Sequence, residues 1–283
     1  MLAAADPFIT RAPRDVAQWA ARFDPAALPV LASTAAQIEA LRPLEDELDA
    51  HTLAEAIADD PLMTLKLLAH VARLRRGREG SDTETVTAAL LMLGIPPFFR
   101  AFGPQPTVQD RLGGLPGALD GFERVLSRSR RAARFAIGFA VHRLDHDAAV
   151  IYEAALLHHF AELLLWLEAP TLALDIATRQ QADPRLRTAA VQREVLNIEL
   201  PALQHELMVR WRMPALLVQI SDNVAPEETV QMRNVRLAIR VARHTTRGWD
   251  DPALPDDITD IGALLQLRPP HVLKLLQEID AEP

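Results

Sequence analysis

Amphipathic runs rich in Ala and Leu, separated by Pro and Gly, most constrain what this chain can fold into. Gly and Tyr are scarce, at 11 residues and one residue. No segment sustains the alternation of apolar and polar residues that a half-buried strand requires. The sequence therefore predicts an all-α protein of two packed helical bundles, which flank a Gly- and Pro-rich break at 103–121.

Helix start and stop signals support this prediction. In HTLAEAIADDP, Thr52 and Glu55 have the spacing of a capping box. This helix should stop at Pro61, which can open the next one. The segment DTETVTAALLMLGIPPF should end at Gly94, because Gly commonly terminates helices.

The composition argues against several classes of protein. The 283 residues include no Cys and carry a net charge of −8, which excludes disulfides and thiolate chemistry and disfavours nucleic acid as a partner. Charged residues at Asp6, Arg11 and Arg14 interrupt the apolar core that a secretory signal needs. We also expect no membrane-spanning helix, since no run approaches the roughly 18 apolar residues that one needs. We therefore expect a cytoplasmic protein without a membrane partner.

Five stretches, taken together and in order, resemble the HDOD family, the HD-related output domain of bacterial signalling proteins. They are ALPVLASTAAQIEAL, LAEAIADDPLMTLKLLAHVA, VTAALLMLGIPPFFRAF, EAALLHHFAELLLW and LMVRWRMPALLVQISDN. The resemblance covers 27–225, with a weaker match near 261–279. It implies a leader helix at 1–26, an N-terminal helical subdomain at 27–105, an HD-like helical subdomain at 118–225 and a C-terminal helical extension at 226–283.

The same resemblance points to the metal site of HD phosphohydrolases, and this chain departs from it. Such an enzyme holds metal through several His and Asp side chains, because hydrolysis needs a metal-bound water. Here the central pair is His158–His159, without a carboxylate, and the closing pair is Asp222–Asn223. The early histidine would fall among Ser127, Arg128 and Ser129. The resemblance thus implies a degenerate site with no metal, no cofactor and no catalytic residue.

The histidines also have a structural interpretation. Neighbouring positions on a helix point about 100° apart, so one ring of His158–His159 should be buried and the other should lie at the surface. His142 and His146 have a ligand-like i,i+4 spacing, with an Asp on either side of His146. That pattern is more typical of the end of one helix and the cap of the next.

Arg124, Arg128 and Arg131 recur at i, i+4 and i+7 and share one helical face. This face is either a solvated stripe or a site for an anion or an acidic partner, since guanidinium groups bind phosphate and carboxylate through paired hydrogen bonds. If Arg128 and Arg131 contact an anionic partner or ligand, replacing both with Glu should abolish that binding and leave the melting temperature nearly unchanged, because exposed charges add little to stability.

The resemblance implies a non-catalytic signalling module that binds a partner in trans, such as a cyclic-di-GMP enzyme or a two-component protein. Two alternatives stay open. One is a divergent HD-type metal-dependent phosphohydrolase that acts on a nucleotide. The other is a sensor of an anionic nucleotide, held by the arginine face. A homodimer is also compatible with the sequence.

Overall fold

The computed structural model describes residues 7–75, 84–183, 185–221 and 228–281. It is 74% helical, and these residues form no strand, which confirms the all-α prediction. The α-helices in chain order are α1 (Val16–Ala20), α2 (Ala32–Leu41), α3 (Ala50–Ile57), α4 (Pro61–Leu74), α5 (Val86–Leu93), α6 (Ile95–Ala101), α7 (Val108–Leu112), α8 (Pro116–His142), α9 (Ala148–Leu157), α10 (Phe160–Glu168), α11 (Pro170–Ala182), α12 (Thr188–Leu196), α13 (Leu200–Arg210), α14 (Ala215–Ser221), α15 (Val230–His244), α16 (Leu254–Leu265) and α17 (Pro269–Ala281).

The helices form two compact units, and each unit combines segments that are distant in sequence. Unit 1 comprises Met1–Val125 and His159–Met213, and unit 2 comprises Leu126–His158 and Pro214–Pro283. The predicted break at 103–121 instead contains α7 and the start of α8, and it lies within unit 1. The division into 1–26, 27–105, 118–225 and 226–283 stays a prediction.

Aspartate side chains cap three helices of unit 1, α1, α3 and α4. Asp49 caps α3 and accepts a hydrogen bond from the Thr52 N–H at 2.7 Å. The predicted cap at Thr52 is therefore wrong. Asp60 caps α4 through Oδ1, while its Oδ2 accepts from the Leu31 N–H at 2.8 Å. Because Leu31 precedes α2, this one carboxylate fixes the starts of two helices. As predicted, α5 stops at Gly94, whose φ of 82° suits glycine.

Two tryptophans anchor the core of unit 1. The Trp19 side chain is fully buried on α1, and its Nε1 donates to the Leu196 carbonyl at 2.9 Å, at the end of α12. Trp166 on α10 lies so close to Gly121 on α8 that a Cβ there would come within 2.4 Å of the indole. Only glycine permits this helix contact.

Unit 2 is built around α15, which packs against α9, α14 and α16, while α17 packs against α16. Aromatic and aliphatic side chains of α8, α9 and α15 are fully or almost fully buried, among them Phe135, Phe139, Ile151, Leu237 and Val241.

The stretch Ala148–Glu168 is long and apolar enough to cross a membrane by length and composition, with a mean hydropathy of 1.4. No such run was expected from the sequence. However, 67% of its most apolar window is buried inside the protein, and the helix is interrupted at His158 and His159, between α9 and α10. These properties are typical of core helices in a folded domain.

Candidate functional site

The histidine pair occupies the turn between α9 and α10. His158 is the C-cap of α9, and His159 is the N-cap of α10. The apolar run around the pair is therefore two helices instead of one. Both histidines are half-buried, so the expected split into one buried and one surface residue is wrong, because the turn removes the helical spacing on which it was based.

The environment of His158 opposes a positive charge. The residue keeps some exposed surface, but its Nδ1 atom is buried, and the burial of the ring decides its protonation. Burial, and secondly the nearby Arg128 guanidinium, lower the pKa of His158 to about 4. The ring is therefore neutral at pH 7, and a cation beside it would meet the charge of Arg128.

The described residues around the pair do not complete a ligand set. Ser129 is fully buried on α8, and Asp222 and Asn223 lie outside the described residues. Where the structure describes the chain, no group of three or more His, Asp or Glu side chains comes together in a way that could hold a metal.

The second histidine pattern marks a helix boundary, as predicted. His142 is the last residue of α8, His146 lies in the following turn, and both are exposed. Asp147 is the N-cap of α9, and its Oδ2 accepts from Gln231 Nε2 on α15 at 3.2 Å.

The predicted arginine face is divided by its local partners. Arg131 donates from Nε and Nη2 to both carboxylate oxygens of Asp280 on α17, at 2.5 and 2.7 Å, with only 15% of its side chain exposed. It cannot serve an external anion without breaking this pair. Arg128 is half-buried, lies near His158 and also interacts within the protein. Arg124 is exposed. Anion binding by Arg124 and Arg128 stays a prediction.

Unit 1 contains a cavity of about 490 Å³ that the sequence analysis missed. It is lined by the turn after α1, one face of α4, the end of α6 and the end of α13. Phe23, Phe102 and Trp211 supply apolar wall. The charged and titratable residues of the lining are Asp24, Lys66, His70, Arg73, Arg210 and Arg212. Among the described residues, three arginines, a lysine and a histidine thus share the cavity with one carboxylate.

Lys66 is the most buried of these cations, with 4% of its surface exposed. Its Nζ donates to the Leu28 carbonyl at 2.6 Å and to Gln105 Oε1 at 2.5 Å. Burial lowers the pKa of Lys66 to about 8, against the attraction of the Asp60 and Asp24 carboxylates. Near neutral pH the amine is therefore predominantly charged, at the wall of a cavity.

Arg210 and Arg212 are brought to the cavity by the way α13 ends. The Met213 N–H donates to the Met208 carbonyl, and the Arg212 N–H donates to the Val209 carbonyl, which together form a Schellman motif. Arg212 holds the left-handed position of this motif, with a φ of 56°. Both arginine side chains are exposed.

His70 and Arg73 extend the cationic lining along α4. Burial, and secondly Arg73, lower the pKa of His70. The His70 ring meets the Phe102 ring edge-on at 5.2 Å. The carboxylate of Asp24 accepts from the Ala26 N–H at 3.0 Å, so the only acid of the lining also caps a turn.

The sequence carries two signals for this cavity. Lys66 is the one charged residue between Pro61 and Ala69 in the leucine-rich PLMTLKLLA, and Arg210 and Arg212 flank a tryptophan in VRWRMP. Neither signal is specific alone, and only the fold brings α4 and the end of α13 to one cavity.

Comparison with known proteins identifies the family. The model of the HDOD domain matches residues 28–225, and the chain therefore belongs to the HDOD family. Among solved structures, the chain is similar to the MmoQ response regulator of Methylococcus capsulatus, with a TM-score of 0.67 and 19% identity, over 89% of this chain and 98% of that one. A virulence factor of Campylobacter jejuni gives a TM-score of 0.61 and 18% identity, over 90% of this chain and 95% of its own. At these identities the likeness shows the fold. No curated protein matches the chain.

Proposed function

We propose that the protein is a non-catalytic regulatory module that acts by binding a signalling protein in trans. Membership of the HDOD family and the likeness to a protein named as a response regulator support a regulatory role. A cyclic-di-GMP enzyme or a two-component protein is the partner class that this role suggests.

The observation that carries the proposal is the residue identity and the charge around the pair His158–His159. A hydrolytic metal centre needs several convergent ligands and an open position for water. Here His159 replaces the carboxylate, and Arg128 places a positive charge near His158. Ser129 supplies a buried hydroxyl where the early histidine would fall. The neutral ring of His158 could ligate a metal. Its neighbour His159, however, is not the carboxylate that an HD pair would supply as an anionic ligand.

Metal analysis tests the non-catalytic half of the proposal. Protein purified without chelator should contain far less than one equivalent of iron, manganese, zinc or nickel. It should not hydrolyse nucleotides or phosphodiesters when these metals are added. The His158→Ala variant should behave in the same way. The exposed His142→Ala variant controls for metal that binds surface histidines. Stoichiometric metal that disappears only in His158→Ala, together with hydrolysis, would establish the divergent phosphohydrolase instead.

A binding assay tests the regulatory half. Purified candidate partners, one from each class named above, should be titrated against the immobilised full chain. Saturable binding of one partner, which alters that partner's own activity, is the expected result. If no member of either class binds, the role in trans is contradicted. The alternative role as a nucleotide sensor on the arginine face predicts instead that Arg124→Glu removes nucleotide binding.

A further inference from the structure

We infer that the cavity of unit 1 binds a small organic phosphate of about mononucleotide size, with the phosphate held by Arg210, Arg212 and Lys66 and the organic part lying against Phe102 and Trp211. This inference goes beyond the proposed function and does not depend on the state of the histidine pair.

The charge of the cavity is the first argument. The whole chain carries a net charge of −8, yet the described lining of this cavity gathers Lys66, Arg73, Arg210 and Arg212 with one carboxylate, Asp24. Beyond the lining, the buried Asp60 carboxylate also attracts Lys66. Within the described ranges, Arg73, Arg210 and Arg212 form no ion pair with a carboxylate. Grouped like charges repel unless an anion lies among them. A phosphate would supply the missing negative charge.

Lys66 is the second argument, because it is a nearly buried donor at the cavity wall. An ammonium group has three N–H donors. The bonds to Leu28 and Gln105 use two of them. A ligand oxygen can accept from the third, and a charge-assisted bond of this kind is stronger than a bond between neutral groups.

The backbone at Arg212 is the third argument. The left-handed position of a Schellman motif is usually glycine, because a side chain is disfavoured there. This chain places an exposed arginine at that position, with φ of 56° and no carboxylate partner among the described residues. Leu144 and Gln266 hold similar left-handed positions, and what distinguishes Arg212 is that its exposed side chain lines the cavity.

Size and lining decide the class of anion. The cavity volume of about 490 Å³ lies in the range of small-molecule sites, which is about 300–1,000 Å³. Arginine forks and a lysine are the side chains that bind phosphate oxygens. The aromatic wall of Phe23, Phe102 and Trp211 favours an organic portion over an inorganic ion.

Calorimetric titration of the full chain tests the inference. The probes are AMP, GMP and CMP as organic phosphates, adenosine as a ring without charge, pyrophosphate as charge without a ring, and tetraglutamate as an acidic peptide. At least one nucleotide should bind with one site per chain. Adenosine should not bind, and pyrophosphate should bind more weakly. No binding by any of the nucleotides, or binding by tetraglutamate alone, would overturn the inference.

Matched variants locate the site. Arg210→Ala and Arg212→Gly should each weaken nucleotide binding roughly tenfold, because each removes one charge-assisted contact. Two controls lie in unit 2. Arg268→Ala removes an exposed arginine, and Gln266→Gly relieves another left-handed position, with φ of 57°.

Both controls should bind nucleotide like the wild type. Circular dichroism should show that all four variants stay folded, and Arg212→Gly should not lower the melting temperature. A double variant of Arg210→Ala and Arg212→Gly that is folded and binds with unchanged affinity would place the ligand elsewhere and overturn the assignment.

Discussion

Arginines in two regions of the molecule differ in what surrounds them. In unit 2, Arg131 pairs with Asp280, and Arg240 donates to both Asp257 and Asp260 at 2.6 Å. Arg131 joins α8 to α17, which are distant in sequence, and Arg240 joins the neighbouring helices α15 and α16. They serve the fold.

The cavity of unit 1 presents the opposite arrangement. Arg73, Arg210 and Arg212 are exposed around it and have no carboxylate partner in the part of the chain that the structure describes. The same residue type is therefore structural in one region and available to a ligand in the other. What separates the two cases is whether the fold brings an acid to the guanidinium.

The largest effect that would test this comparison is expected at Asp257. Its side chain is 2% exposed and accepts from Arg240 Nε and His244 Nδ1, both at 2.6 Å. Asp257→Ala should lower the free energy of unfolding by about 3–5 kcal/mol, because it removes the buried carboxylate that Arg240 and His244 share. Urea denaturation measures the loss. The control is Asp260→Ala, where the carboxylate is 47% exposed and the loss should be under about 1 kcal/mol. Equal losses would contradict the structural role of Asp257.

The next effect concerns the protonation of Lys66. Its folded pKa is about 8, against 10.5 for the ordinary amine. Between these values the unfolded chain binds the proton that the folded chain has lost, so stability rises with pH in this window. The free energy of unfolding of the wild type, relative to Lys66→Met, should rise by about 3 kcal/mol from pH 7 to pH 10.5. Urea denaturation of both proteins at several pH values measures it, and other titrating groups cancel in the difference. A difference that does not change with pH would mean that the amine is fully solvated.

A smaller effect is expected at Arg131. Arg131→Ala should lower the free energy of unfolding by about 2 kcal/mol, since it removes two charge-assisted hydrogen bonds from a partly exposed pair. The expectation that Arg128→Glu with Arg131→Glu leaves the melting temperature nearly unchanged stays a prediction, and the ion pair of Arg131 with Asp280 favours a loss instead. Arg124→Ala, at an exposed position of the same helix, should change stability by less than about 0.5 kcal/mol. A similar loss of stability in both variants would contradict a special structural role for Arg131.

The smallest effects should be found at the cavity. Arg210→Ala should change the free energy of unfolding by less than about 0.5 kcal/mol, because an exposed arginine without an acidic partner adds little to stability. Arg212→Gly should raise it by about 0.5 kcal/mol, as relief of the left-handed backbone exceeds the entropy cost of glycine. Gln266→Gly should gain a similar amount. Thermal denaturation measures all three. A marked loss at Arg212 would show that its side chain serves the fold.

Much of the local structure could be predicted from the sequence. The helical class, the start of α4 at Pro61 and the stop of α5 at Gly94 depend on neighbouring residues alone. The cap of α3 was misplaced, because Asp49 and Thr52 are both good caps and their competition is decided by local geometry. The turn at His158 and His159 was not predicted, since the residues on either side of it continue an apolar helical pattern.

The two candidate sites, the histidine pair and the cavity, also differ in how far they could be predicted from the sequence. The changed positions of the histidine pair were visible in the sequence, because they are a matter of residue identity at a recognised motif. The cavity was not, because Lys66 and Arg210 belong to helices that are far apart along the chain. A spacing rule relates residues of one helix only.

The sequence by itself determined the helical class and the HDOD resemblance, and it predicted that the usual metal ligands are replaced. Each of these follows from residue type and short-range order, which the chain carries before it folds. Only the tertiary structure decided which cations are neutralised. Asp280 reaches Arg131 across 149 positions, while the end of α13 delivers Arg210 and Arg212 to a cavity with one carboxylate. Electrostatic interactions depend on distance in space and on burial, and neither quantity is contained in the order of the residues.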